Sequence, residues 1–98
     1  MLVYGYAKDY KYSGDGTLLI RTRIPNVHGA YQLSDYKGKI PRNYVKDENL
    51  PYYPSLLLPH LPSEGEVVVL STMNESTSAF LIIGLTGGSY YNVLTERV

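Results

Sequence analysis

The chain has no cysteine, which excludes a disulfide framework and thiolate metal sites and leaves the redox compartment open. It has only two histidines, His28 and His60, in unrelated contexts and without a His/Asp/Glu cluster at metal-ligand spacing. No apolar run approaches the roughly 18 residues that a membrane-crossing helix needs. The opening MLVYGYAKDY lacks the basic region and continuous apolar stretch of a signal peptide. Net charge is absent too: nine Lys/Arg offset nine Asp/Glu, so no global field draws the chain to nucleic acid or acidic lipid. No stretch shows convincing helical periodicity. At 98 residues the expectation is one soluble globular domain, residues 1–98, made and kept inside the cell.

The motifs of catalysis are missing as well. There is no Gly-x-Ser-x-Gly elbow. Glu64 and Glu66 form a weak acid/base pair and read as solubilising rim residues. LTGGSYY has a glycine pair but no Walker lysine and no following helix. Asn74-Glu75-Ser76 matches a glycosylation triplet by pattern only. His28, beside Gly29, reads as a ring bonded to nearby backbone, and His60 as a contact between prolines. No enzymatic activity, cofactor, metal site or small-molecule substrate is expected.

What is present is tyrosine, eleven of them, a residue suited to half-buried sheet faces and interfaces. Residues 2–12, LVYGYAKDYKY, alternate with period two, so Tyr4, Tyr6, Lys8, Tyr10 and Tyr12 share one face of a strand. SGDG then signals a turn, and TLLIRTRI continues as a second strand. In it Leu18, Ile20, Thr22 and Ile24 form a dry face, and Leu19, Arg21 and Arg23 a wet one. Residues 25–29, PNVHG, stop the strand. Residues 30–49 form a long polar excursion, with room for a short strand near residues 30–33.

The stretch LPYYPSLLLPHLP, residues 50–62, carries four prolines among leucines and tyrosines. It is too broken for a helix, too proline-rich for a central strand and too apolar for a solvated loop. EGEVVVLSTM, the turn NEST and SAFLIIGLTGG follow as a second hairpin with both faces apolar. A barrel interior accounts for one face. Exposing about five such side chains on the other would forfeit roughly 1.5–3 kcal/mol each. Either the proline ribbon covers them or a partner subunit does, and the residue count favours association. The charges are unevenly spread: residues 1–46 hold eight Lys/Arg against three Asp, and residues 47–98 one Arg against six acids. Either the strands interleave and the charges mix, or the molecule is polar and stacks on its own copies.

Two hairpins, a long middle connection and a short extra strand give an all-β fold, a small five-stranded OB-like Greek-key barrel, with an SH3-like barrel as competitor. A stacking reading is available for the first hairpin. Tyr4, Tyr6, Lys8, Tyr10 and Tyr12 with Arg21 and Arg23 would make a single-stranded nucleic-acid face, although the neutral charge speaks against it. A carbohydrate-binding reading draws only on the tyrosines.

The order TLLIRTRIPNVHG, ENLPYYPSLLLP, EGEVVVLSTMNESTSAFLIIGLTG resembles the N-terminal OB domain of central spike and baseplate hub proteins of contractile phage tails and related type VI secretion spikes. Residues 17–29 and 50–87 carry the likeness. It implies a structural protein of the virion tail baseplate, synthesised in the host cytoplasm. Its partners would be other tail proteins and copies of itself, a trimer being one arrangement, with no membrane partner and nucleic acid not expected. The ribbon would be a stiff strap on the barrel or on a neighbour. The expected interface is Leu50, Pro51, Tyr52, Tyr53, Leu57, Val68, Leu70, Leu81 and Ile83. The chain departs from the family in its long excursion, in LPYY where a Leu-Pro-Trp is usual, and in stopping at Val98 where spikes continue into a needle. The needle is then another chain, or this is a small hub component.

Overall fold

The computed structural model describes residues 2–72 and 79–89. The NEST turn, the Asn74–Ser76 triplet and the final tyrosines Tyr90 and Tyr91 lie outside the described residues. Five strands form one sheet: β1 (Leu2–Tyr12), β2 (Leu18–Arg23), β3 (Tyr52–Pro54), β4 (Glu66–Thr72) and β5 (Phe80–Ser89). Their order is β3-β2-β1-β4-β5, and every neighbouring pair is antiparallel. A parallel bridge between Ser55 and Ile82 brings the two edges together. There the Leu56 N–H donates to the Ile82 carbonyl at 2.9 Å, so the sheet rolls into a barrel-like closure.

The long first strand serves both halves of the sheet. Its start pairs with β4, from Leu2 opposite Ser71 to Tyr6 opposite Val67, and its end pairs with β2, from Tyr6 opposite Arg23 to Tyr12 opposite Leu18. Between Ala7 and Asp9 the register with β2 slips by one residue. This β-bulge bends the strand from one partner to the other and reverses the side to which later residues point. Ala7, Ile20, Ile24, Tyr53, Val68, Leu70, Phe80 and Ile82 are buried together inside, with Val3, Leu18, Leu58 and Leu85 packed against them. Gly5 is needed at this core: a Cβ there would lie 2.7 Å from Thr22 Cγ2 and 3.1 Å from the Arg23 carbonyl oxygen.

The proline ribbon enters the barrel wall as the short edge strand β3, in keeping with prolines that bar it from a central one. Ser55 N–H donates to the Leu18 carbonyl, and the Pro51 carbonyl accepts from Thr22 N–H. Positions 51, 53 and 55 thus face β2, and Pro54 falls where its missing N–H would point away from that neighbour. Residues 25–49 contain no strand; they hold one helical turn, α1 (Pro25–His28), and two 3-10 turns, Leu33–Tyr36 and Asp47–Asn49. The strand considered near residues 30–33 is absent because the chain folds back there onto β1 and β2.

Gly5→Ala is expected to lower stability by about 1–3 kcal/mol through overpacking. In urea the midpoint should fall while the slope stays unchanged; an unshifted midpoint would show that the close approach at Gly5 is not a constraint.

Candidate functional site

The bulge in β1 divides the tyrosine stripe. Tyr4 and Tyr6 lie on the outer side with Val69, Val67 and Arg23, their partners across the sheet. After the slip Tyr10 and Tyr12 oppose Ile20 and Leu18, on the inner side at the mouth of the barrel, while Asp9 and Lys11 turn outward. Tyr4, Tyr6, Lys8, Tyr10, Tyr12, Arg21 and Arg23 therefore do not make one stacking face. Alternation alone implies an unbroken stripe, and a single extra residue changes its phase.

The cations of that set are already engaged. Arg23 is completely buried, where a wet-face arginine was expected, because the 25–49 excursion closes over it. Its guanidinium donates to the His28 carbonyl at 3.0 Å and the Val45 carbonyl at 2.5 Å, pairs with Asp47 at 2.7 Å and lies 4.6 Å from the Tyr44 ring centre. Lys8 bridges to the other Asp47 oxygen at 3.2 Å and sits 4.0 Å from the Tyr31 ring centre. Partial burial works against charge on Asp47, but the bonds from Arg23 and Lys8 outweigh it and hold its pKa below the ordinary value. Arg21 donates to the Tyr52 hydroxyl at 2.7 Å and pairs with Asp9 at 3.3 Å; the Tyr52 bond chiefly raises its pKa.

His28 is a satisfied buried ring, as its place beside Gly29 suggests. Its Nδ1 accepts from Ile24 N–H at 2.8 Å, so the neutral ring carries its proton on Nε2 and donates it to Tyr53 Oη, 3.2 Å away. Burial, then the Arg23 charge, lowers its pKa from 6.5 to about 4. Gly29, at φ 102°, allows the Tyr36 hydroxyl to accept from Ala30 N–H at 2.6 Å; a Cβ on Gly29 would lie 2.6 Å from that same oxygen. Together these groups form a latch that fastens the excursion to the barrel, a role not visible in the isolated arginine pattern. Glu66 also departs from the rim reading: it is buried, accepts from Ser63 N–H at 3.0 Å and lies 3.7 Å from His60 Nε2.

The expected interface separates in the same way. Leu50, Tyr53, Val68 and Leu70 are buried within the chain and cannot meet a partner. Tyr52 is half-buried beneath Arg21 and Lys11. Pro51 is exposed, and Leu57 is 100% exposed. Leu81 faces outward opposite Ser71, and Ile83 is the extra residue of a second bulge, in β5; both are half-buried. Cross-strand pairing places Leu2, Tyr4, Val67, Val69 and Leu81 on one outer face of β1, β4 and β5. Among the described residues this face carries no charge, and Leu2 and Tyr4 are 61% and 63% exposed.

Among the described residues no group of His, Asp and Glu is placed to hold a metal ion, and no helix is long and apolar enough to cross a membrane. Comparison of the chain with protein-family models, curated proteins and solved structures gives no match in any of the three.

Acidification tests the latch. The lowered His28 pKa contributes stability that is complete above pH 6.5 and is lost as pH falls toward 4, about 3 kcal/mol in all. Denaturant midpoints measured across that window should fall in the parent and stay nearly level in His28→Gln; equal slopes in both would remove His28 as the cause.

Proposed function

We propose that this chain is a structural OB-type barrel that works by assembly, a baseplate hub or spike component of a contractile tail or tail-like injection machine. The observation that carries the assembly reading is the uncharged outer face of β1, β4 and β5, with Leu2 and Tyr4 left open beside Val67, Val69 and Leu81. An apolar sheet face of this kind marks a contact surface. The tail-tip part of the reading rests on the order of segments in residues 17–29 and 50–87.

Strand order supports the barrel type. The circuit β1-β2-β3-β5-β4, closed by β1 against β4 and by a parallel contact between β3 and β5, fits a five-stranded Greek-key OB barrel. The function is then mechanical: a stiff barrel holds neighbouring subunits in register between tube and tip and transmits load. The single-stranded nucleic-acid reading has less to stand on, since Lys8, Arg21 and Arg23 are held by Asp47, Asp9 and backbone carbonyls.

Sedimentation equilibrium should give a species larger than a monomer, and Tyr4→Glu should weaken that association at least about tenfold, the effect of burying a charge in an apolar contact. Gold-labelled antibody on contractile particles from the organism encoding the chain should mark the tail tip; labelling elsewhere or none would refute the tail assignment. With a fluorescent single-stranded oligonucleotide, anisotropy should stay flat at physiological salt. Micromolar binding that is lost in Arg21→Ala would favour the nucleic-acid reading instead.

A further inference from the structure

Two surfaces at opposite ends of β2 have matching chemistry. The first is the tip of the excursion. Residues 37–43 are all exposed and include Lys37, Lys39 and Arg42, and no acid occurs between Asp35 and Asp47. Ile40, at the centre, is 55% exposed. The base of this tip is rigidly set: Tyr36 and Tyr44 meet edge to face at 5.8 Å, Val45 N–H bonds the His28 carbonyl, and Arg23 locks Val45 from below. The result is a preformed cationic knob with an aliphatic apex.

The second surface lies at the start of β2, a six-residue strand about 17 Å long at roughly 3.3 Å per residue. Here the 13–17 turn and the ribbon border a groove of about 430 Å³, with Tyr12, Leu18, Leu56, Leu57 and Leu61 along it. Leu57 is fully exposed, and Leu56 and Leu61 are 50% and 42% exposed, leaving three leucines open to water. Past His60 the groove continues into a smaller one of about 340 Å³ that Glu64 and Glu66 line. Asp15 stands in the turn at its other flank; bonds from Ser13 and Thr17 lower its pKa to about 2, so it is charged at neutral pH.

We propose that the knob of one copy seats Ile40 among Leu56, Leu57 and Leu61 of the next, with Lys39 and Arg42 reaching Asp15 and Glu64. The occupant is a second copy because the chain is neutral as a whole and carries both complementary charges, on surfaces at opposite ends of β2. A nucleic-acid strand fits the knob less well, since its apex is aliphatic and its two tyrosines are engaged at the base. The contact is heterologous, head to tail, and so generates a ring if it closes and a filament if it does not. The inference rests on the assembly reading but uses a surface separate from the Leu2/Tyr4/Leu81 face.

The test uses the full chain carrying Tyr4→Glu, which silences that face. Sedimentation equilibrium at low salt should still show association, weakened at least about tenfold in 0.5 M salt through screening of exposed charges. Adding K39E and R42E should give a monomer, and so should adding L57D; all four sites are exposed, and circular dichroism should match the parent. A one-to-one mixture of the knob and groove variants should form dimers and nothing larger, because only one knob and one groove remain. A monomeric Tyr4→Glu parent, or a mixture that stays monomeric, would overturn the proposal. If wild type still associates in the first case, the assembly reading stands and only the knob contact falls.

Discussion

A guanidinium with no access to water constrains much of this molecule. Burying the charge of Arg23 is tolerable only where acceptors surround it, and those acceptors belong to the excursion: the His28 and Val45 carbonyls and Asp47. The excursion must therefore fold back over the sheet. Asp47 in turn holds Lys8, the bulged residue of β1, so the same carboxylate ties the phase of the first strand to the position of a segment nearly forty residues later. The Arg23 charge also disfavours a second positive charge on His28, and the neutral ring is the form that can accept from Ile24 and donate to Tyr53.

The proline ribbon solves a different problem. A barrel of five strands has to join edges that are far apart in sequence, and residues 51–56 do so with few backbone bonds. Prolines restrict the unfolded chain, so less conformational entropy is lost when the ribbon is fixed. Leu56 and Leu57 stay outside the core, while Leu58 packs against it. One segment thus closes the wall and presents an apolar surface.

Local pattern foretold the local structure. Both hairpins, the inner face of β2 and the backbone-bonded ring of His28 follow from alternation, turn residues and a glycine. What the pattern missed is long-range. Lys8 reads as one more member of an alternating stripe, since no residue type announces a bulge; the slip exists because β1 must pass from β4 to β2. Arg23 reads as solvent-facing because strand alternation knows nothing of the excursion that covers it. Val68 and Leu70 were candidates for a partner surface because their strand is apolar on both faces, and sequence alone does not say which alternate set points inward.

The bulge in β1 has a consequence for how this sequence can vary. Substitutions along an ordinary strand are local events, but here a single supernumerary residue stands outside the ladder. Removing Lys8 would leave Asp9 opposite Arg21 and Tyr10 opposite Ile20 in an unbroken ladder, so the later side chains would keep their sides while the bend and the Lys8–Asp47 bridge would be lost. Residues 2–12 can therefore shed this one residue without changing which side chains point inward, and a gap between related chains in this strand should fall at position 8.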